Sequence, residues 1–286
     1  MSKKVRFKES FSNNKPEPSI LVQKILNTWE YAKHDLPPGK HTNTMRQAVN
    51  WHKFLIGPAY LLMLIYYGVD LETNPRAVQL MIMHGTYGWT WLYKDLHFPD
   101  KAWNKPVTFV SGISFFLGLN LLWANMFCHI HPDIDMCPGG MIFKEWYYQH
   151  IGLLSFVWGM WWHYGSDCQK YYSLKYRPNQ LVCNGFWAYT RHPNYLGEFL
   201  IYTGYFLTSG HAVPFYLTLG LFVTLFLPNI LQKDAFVSRY PNYNLWKKNT
   251  GLIIPSLRMF LYDFFNNLFC KNFDEDKMIS RNEYSK

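Results

Sequence analysis

Six apolar stretches recur along the chain, and polar or charged segments separate most of them. They lie at residues 54–67, 77–93, 107–127, 151–165, 195–210 and 214–231. Only the third runs for 21 residues without a charged side chain, which is the length needed to cross the hydrocarbon core of a bilayer. Several of the others reach that length only when flanking Trp, Tyr and His residues are counted. The pattern predicts an all-α, polytopic membrane protein with about six transmembrane helices.

The connecting segments alternate in net charge. Residues 1–53 carry ten Lys or Arg and four Asp or Glu, and the segments after the second, fourth and sixth stretches are also net positive. The segments at 69–76 and 128–150 are net negative. Because basic loops stay on the cytosolic side of a membrane, this alternation predicts that both termini lie on the cytosolic-like side.

Composition agrees with a membrane protein. Aromatic residues make up 19% of the chain and charged residues only 16%, against about 25% in soluble domains. We interpret the net charge of +9 as a topology signal, so no nucleic acid is expected as a partner. The predicted organisation is a polar basic N-terminal tail at residues 1–50, a membrane helical domain at 51–257, and an amphipathic, polar C-terminal tail at 258–286.

The five cysteines fit no metal-finger spacing, but two of them bracket a polar loop on the negative side. Cys128 and Cys137 flank a segment that is rich in imidazole and carboxylate groups: His129, His131, Asp133 and Asp135. This segment allows a transition-metal site, a disulfide in an oxidising compartment, or a merely polar loop. We assign no metal here, and the loop carries no functional prediction.

A motif at the start of the fifth stretch carries most of the candidate chemistry. It reads Arg-His-Pro-Asn-Tyr-Leu-Gly-Glu over residues 191–198. A helix would place four of its polar side chains on one face, because they recur three to four residues apart: Arg191, Asn194, Tyr195 and Glu198. A carboxylate in an apolar segment is costly and usually has a partner or a function. The stripe predicts a polar-ligand site, and the start of an interfacial helix is the alternative.

Two further basic and polar segments, at residues 163–177 and 233–255, lie on the same predicted side of the membrane. Lys and Arg side chains bind phosphates, amides and carboxylates bind ribose, and aromatic rings stack on bases. The three segments together favour a phosphorylated cofactor, while loops that contact only lipid headgroups are the alternative. Neither G-x-G-x-x-G nor a Walker sequence is present, which excludes a Rossmann domain or a P-loop as the carrier.

These residues resemble a known family. Residues 185–198 resemble the signature of the steroid 5-alpha-reductase-like family of membrane reductases. Asp167-Cys168-Gln169-Lys170 resembles the Asp-x-Gln-Lys sequence of one branch, whose function is unassigned, and residues 239–255 are similar to the closing motif of that branch. The specific part of the resemblance therefore covers residues 158–255. More loosely, Gly57-Pro58 and the series His84, Tyr87, Lys94 resemble the front half of enoyl-CoA reductases of the same family.

The resemblance implies an all-helical membrane fold that binds NADPH among its last helices and transfers hydride to an activated C=C bond of a lipid. The residues that it assigns to the nicotinamide and ribose are Asp167, Arg191, Asn194, Tyr195 and Glu198, with Gln169 and Lys170 beside them in the same cofactor region. It places Tyr243, Lys247 and Lys248 at the phosphate end.

The sequence departs from the family pattern at two positions. Family enzymes commonly carry a Glu just before the early Gly-Pro pair, where this chain has Phe54 nearby. Near the end, Lys233 stands where an acidic residue is usual. A reductase needs a proton source or a hydrogen bond to the carbonyl of its substrate. His84 and Tyr87 are the catalytic candidates, and each of them is also compatible with a purely structural role.

Three functions therefore remain open from the sequence. The first is an NADPH-dependent reductase of a sterol-like enone or an enoyl thioester. The second is a catalytically inactive, reductase-like subunit of a larger membrane complex, which would contact other membrane subunits through aromatic surfaces and tails. The third is an isoprenylcysteine-type methyltransferase, which shares an Arg-His-Pro-x-Tyr run. An integral membrane location is expected, in the endoplasmic reticulum or, for a complex subunit, in the mitochondrial inner membrane.

Overall fold

The structure, a computed structural model, describes residues 20–129, 137 and 139–269. The start of the predicted N-terminal tail, the loop residues His131, Asp133 and Asp135, and residues 270–286 lie outside the described part. The prediction of a mostly helical protein is confirmed over the described residues.

Helices form nearly all of the described structure. The helices are α1 (Ile20–His34), α2 (Met45–Tyr66), α3 (Pro75–His97), α4 (Phe109–Asn120), α5 (Ala124–Phe127), α6 (Trp146–Tyr176), α7 (Pro193–Ser209), α8 (Ala212–Leu221), α9 (Leu227–Val237), α10 (Tyr243–Asn249) and α11 (Leu257–Phe269). A π-helical turn at Phe222–Phe226 joins α8 and α9 into one long rod. Two short strands, β1 (His41–Thr44) and β2 (Pro106–Thr108), pair antiparallel.

Two of these helical rods are long and apolar enough to cross a membrane. They are α2, at Met45–Tyr66, and the rod Ala212–Val237, while α4 is apolar but shorter. The length of these two rods matches the roughly 20 residues that a bilayer requires. The two rods give weak support for a membrane location, and they do not confirm the predicted six spans.

The third apolar stretch, the cleanest in the sequence, is not one continuous α-helix. A 3-10 turn at Leu121–Trp123 separates α4 from α5. Asn120 and Asn125 flank this turn, and their side-chain oxygens lie 3.0 Å from His52 Nδ1 and 2.9 Å from His84 Nε2. These two hydrogen bonds hold the chain at fixed points on α2 and α3. The stretch predicted as the third span is therefore helical over residues 109–127, with a 3-10 turn inside it.

The first membrane-length helix begins earlier than the apolar pattern indicates. The backbone amide of Gln47 donates to the Thr44 hydroxyl, and the backbone amide of Thr44 donates to the side-chain oxygen of Gln47. This reciprocal capping satisfies two amides that a helix start leaves unpaired. It fixes the start of α2 at Met45, so α1, β1 and the first turns of α2 lie within the segment predicted as a polar tail.

The helical passes alternate in direction between two ends of the bundle. Arg76 near the start of α3 donates to the carbonyl of Thr208 near the end of α7, so these helices run antiparallel. Lys94 near the end of α3 pairs with Asp167 in the second half of α6, so those helices run parallel. As a result the starts of α2 and α7 and the ends of α3, α6 and α9 lie at one end, which we call the motif end.

The opposite end of the bundle carries a disulfide. Cys128 and Cys137 are bonded there, with their Cα atoms 5.1 Å apart, and both are buried. The sequence allowed a metal site, a disulfide or a merely polar loop here, and the structure contains the disulfide. The imidazole of His211 at the start of α8 lies beside it.

Candidate functional site

The motif helix α7 lies in backbone contact with α6. A Cβ atom added at Gly159 would lie 2.6 Å from the amide nitrogen of Ile201, and one added at Gly197 would overlap the backbone of His163. The glycines therefore bring the two antiparallel helices closer than any side chain would allow. This contact fixes the residues of the motif against the second half of α6.

Asp167 on α6 forms a buried ion pair with Lys94 on α3. Both side chains are largely shielded from solvent. The Lys94 ammonium also lies 4.6 Å from the centre of the Trp91 ring, within the range of a cation–π contact. One of the predicted cofactor residues is therefore anchored by a lysine from the first half of the chain.

A cationic cleft opens next to this pair at the motif end. It encloses about 350 Å³, and its charged lining consists of Lys94, Asp100, Lys101, Asp167, Lys170 and Lys175. Four ammonium groups face two carboxylates there, so the cleft carries a positive surplus that favours anions.

Lys170 and Asp100 form an ion pair of 3.5 Å inside this cleft. Burial acts to raise the pKa of Asp100, but the Lys170 ammonium and the backbone amide of Ala102 outweigh it and hold the pKa below its ordinary value. Asp100 is therefore ionised at neutral pH. The pair is half-exposed, so an incoming anion can compete with the carboxylate for Lys170.

Glu198 lies one helical turn after Asn194 and faces the interior of the bundle. The charged groups that act on it are Lys94, Asp167, Lys53 and Lys233, which come from four helices. Within the part of the chain that the structure describes, no side chain or amide donates a hydrogen bond to its carboxylate. Glu198 is half-buried, and a carboxylate in an apolar segment without a donor from the protein is suited to a ligand that supplies donors.

Asn194 and Tyr195 lie next to Glu198 on α7. The carbonyl of Asn194 lies 3.2 Å from His163 Nδ1, while its amide group remains partly accessible. The Tyr195 ring is buried and has the Lys233 ammonium 4.9 Å from its centre. Asn194, Tyr195 and Glu198 thus lie on neighbouring turns of α7, and Asp167 of α6 is close enough to act on Tyr195 and Glu198.

Arg191 has a different environment from the rest of its motif. Its Nε donates to Asp234 at 2.7 Å and its Nη1 donates to the carbonyl of Thr250 at 2.9 Å. Tyr243, predicted for the phosphate end, donates its hydroxyl to the other oxygen of Asp234 at 2.7 Å. Burial and this hydrogen bond raise the pKa of Tyr243 to about 12, so it stays a neutral donor. We call this cluster of Arg191, Asp234 and Tyr243 the arginine knot.

The remaining predicted cofactor residues divide between the loop and the surface. Gln169 donates to the carbonyl of Asn184 at 2.8 Å and accepts from the amide of Phe186 at 3.1 Å, so it holds the loop that leads into the motif. Lys247 and Lys248 are exposed on α10, beyond the arginine knot. They are not among the residues that line the cationic cleft.

The two catalytic candidates lie on α3 but in different surroundings. His84 is buried, bonded to Asn125 and stacked on Tyr205 with ring centres 3.9 Å apart. Tyr87, one turn later, is equally buried and carries the Lys53 ammonium 3.9 Å from the centre of its ring. Glu198 acts on Tyr87, whereas the charged or titratable groups that act on His84 are Lys53 and His52.

Residues 86–244, more than half of the chain, match the family described as "Protein of unknown function (DUF1295)". The chain belongs to this family. DUF1295 lies in the steroid 5-alpha-reductase-like group, which the motifs resemble. A search of curated proteins returns no match. Asp167, the 191–198 motif and the arginine knot all fall inside the DUF1295 match.

Lys53 is the residue of the site that the sequence reasoning missed, and it precedes the DUF1295 match. It is only 6% exposed, whereas its neighbour Phe54 is 42% exposed and faces outward. The apolar pattern starts the first stretch at Phe54, so Lys53 falls just before it and is not among the predicted site residues. The signal in the sequence is a lysine directly before an apolar run. When the helix of that run extends backwards over the lysine, its side chain can face the interior.

Proposed function

We propose that this DUF1295 protein is a membrane-embedded, NADPH-dependent reductase of a C=C bond in a lipid, either a sterol-like enone or an enoyl thioester. The observation that carries the proposal is the position of Glu198. Its carboxylate lies without a hydrogen-bond donor among the described residues, next to Asp167 and Asn194. The cationic cleft that Asp167 helps to line takes up the charged part of the same ligand.

The residues at this site fit the chemistry of NADPH. The surplus of ammonium groups in the cleft suits the phosphates of the cofactor. The carboxylate of Glu198 can accept from the carboxamide or from ribose hydroxyls, and the amide of Asn194 can serve as donor and acceptor. The sequence resemblance assigns the same residues to the nicotinamide half. The surface lysines of α10 and the arginine knot are less suited to the phosphate end than Lys170 in the cleft.

When bound, NADPH supplies a hydride to the C=C bond, and the residues of this chain position and polarise the substrate. Tyr87 is the residue best placed to donate a hydrogen bond, and then a proton, to a carbonyl conjugated with that bond. Its hydroxyl interacts with Tyr202, and aromatic side chains shield both rings from water. His84 supports the core through Asn125 and is the weaker candidate.

The proposed location is an integral membrane one, with up to six passes and a lipid that enters laterally. The two membrane-length rods support it. So do the many large aromatic side chains exposed along the helices, such as Trp89, Trp158 and Trp161. The endoplasmic reticulum is the organelle proposed for an active enzyme.

The test is a titration of the detergent-purified full chain with NADPH, followed by nicotinamide fluorescence. We expect saturable binding that is weakened at least about tenfold in Glu198→Gln and in Lys170→Gln, since each loses a charge-assisted hydrogen bond. Lys144→Gln is the matched control, because Lys144 is exposed at the disulfide end. Absence of binding at saturating NADPH would contradict the proposal, and binding of S-adenosylmethionine instead would indicate the methyltransferase.

A second candidate is a catalytically inactive subunit of a membrane complex. It is favoured by one observation: helix α11 exposes a run of large apolar side chains that includes Leu257, Phe260, Phe264 and Phe265. Such a surface suits docking on other membrane subunits as well as on lipid. A mitochondrial inner-membrane complex is the proposed setting. Purification under mild detergent distinguishes the two, because this candidate requires stable co-purifying membrane proteins and no NADPH binding.

A further inference from the structure

Lys53 projects from α2 into the interior of the bundle because α2 and α3 lie unusually close. A Cβ atom added at Gly88 of α3 would overlap the carbonyl of Lys53, and one added at Gly57 of α2 would lie 3.0 Å from the Cα of Gly85. The two backbones are therefore in contact at this level. The Lys53 side chain is directed along α3, with its ammonium 3.9 Å from the centre of the Tyr87 ring and 5.6 Å from that of Trp91.

The Lys53 ammonium has no direct partner in the described part of the chain. No carboxylate there lies within 4 Å of it, and no described group accepts a hydrogen bond from it. Lys94 approaches the same Trp91 ring but takes Asp167 as its ion-pair partner. A buried ammonium that has only ring faces around it is poorly compensated, since cation–π contacts do not replace its lost hydrogen bonds.

The charged groups that act on Lys53 do not give it a direct contact. They are Glu198 and Lys94. Lys94 is engaged by Asp167, and Glu198 acts on Lys53 only at longer range. An anionic group in direct contact would give Lys53 an acceptor.

The surroundings of Lys53 favour an anion that is attached to an apolar body. Tyr87 and Trp91 flank the ammonium, and the aromatic core continues from them through Tyr202 and Tyr205. A freely hydrated ion would lose its water without gaining apolar contacts there. A single-chain amphiphile would place its anionic head on Lys53 and its chain along these rings.

We propose that Lys53 binds the anionic head group of a single-chain lipid, which is either a carboxylate or a phosphate monoester. The proposal deepens the function proposed above by assigning the substrate class, and the role of the lipid as a substrate rests on that function. The binding of the lipid does not rest on it. An acidic lipid also differs from the neutral sterol-like enone, which is one of the two substrates proposed above.

The test is binding of radiolabelled palmitate to the full chain in zwitterionic nanodiscs. We expect saturable binding that hexadecanol, its neutral counterpart, does not displace. Lys53→Met should weaken binding at least about tenfold, the effect of removing one charge-assisted contact. Glu198→Gln should strengthen it, because the substitution removes the anion that competes for Lys53. Lys144→Met is the matched control and should bind palmitate like the unmodified chain.

Competition by lysophosphatidate identifies the head group. If lysophosphatidate displaces palmitate at lower concentration than unlabelled palmitate does, the natural head is a phosphate, and otherwise it is a carboxylate. The proposal is overturned if hexadecanol competes as well as palmitate, or if neither Lys53→Met nor Glu198→Gln changes the affinity. An NADPH titration of the unmodified chain, run beside the palmitate assay, separates the two proposals: palmitate binding without NADPH binding would contradict only the function proposed above.

Discussion

At the scale of single residues, one motif supplies two different kinds of side chain. Arg191 and Glu198 lie seven residues apart, and the sequence assigns both of them to a ligand. In the structure the guanidinium of Arg191 is satisfied by Asp234 and by backbone carbonyls, while no described group donates to Glu198. Arg191 therefore acts as a structural support for the site, and Glu198 remains the candidate for direct contact.

Loss of the arginine knot should lower stability more than it lowers cofactor affinity. Arg191→Ala leaves Asp234 buried without its cation, and breaking a buried pair on one side costs about 3–5 kcal/mol. We expect a melting temperature several degrees lower in a thermal-shift assay, and a similar loss for Asp234→Asn. Arg177→Ala, at an exposed arginine beyond α6, is the control. An unchanged melting temperature together with lost NADPH binding would contradict this and would mean that Arg191 contacts the cofactor directly.

At the scale of elements, the α6–α7 contact determines where the motif lies. Gly152 and Gly159 on α6 meet Gly204 and Gly197 on α7, so that the glycines recur every seven residues on both helices. A seven-residue period keeps one face of a helix turned toward its partner. The contact holds Gly197, the neighbour of Glu198, against the backbone of His163, and the sequence alone did not reveal it.

Filling this contact should destabilise the protein and disturb the site. Gly159→Ala forces α6 away from α7, because the new methyl group would lie 2.6 Å from the amide nitrogen of Ile201. Overpacking of this kind costs about 1–3 kcal/mol. We expect a lower melting temperature and weaker NADPH binding.

Gly220→Ala is the matched control for this substitution. Gly220 lies in α8, and among the described residues no neighbouring group outside the helix backbone lies within 4 Å of an added Cβ. The change should be neutral or should stabilise the helix by about 0.5–1 kcal/mol. Equal melting temperatures for the two variants would mean that α6 and α7 are not in backbone contact.

At the scale of the whole molecule, the two ends of the bundle differ in chemistry. The motif end carries the cationic cleft and the arginine knot, and the other end carries the Cys128–Cys137 disulfide. Disulfides persist in oxidising compartments, and basic loops stay on the cytosolic side. The fold is therefore consistent with a protein whose two ends face different compartments.

The disulfide gives a direct measurement of this polarity. In peptide mass spectrometry of protein alkylated before any reduction, we expect Cys128 and Cys137 to remain unmodified and to be recovered as one linked peptide pair. Cys168, half-buried at the motif end, should be alkylated without reduction and serves as the internal control. Alkylation of Cys128 and Cys137 in the unreduced protein would contradict the disulfide.

The sequence by itself determined the helical class, which the structure confirms, and it named candidate site residues whose role in binding stays a prediction. The apolar stretches predicted the approximate positions of the helices, because the apolar pattern of a helix can be read from neighbouring residues alone. The three-to-four residue spacing of Asn194, Tyr195 and Glu198 was sufficient to place them on one face. The resemblance to reductases connected them with Asp167, and the family match is consistent with that connection.

Only the tertiary structure decided which polar groups are used internally and which remain available to a ligand. Asp234 pairs with Arg191 across 43 residues of sequence, and Lys94 pairs with Asp167 across 73 residues. Sequence periodicity gives no information over such separations. The break after α4 depends on His52 and His84 for the same reason. The inward position of Lys53 follows from backbone contact between α2 and α3. Local patterns set the helices, whereas the pairing of charges depends on how the helices pack.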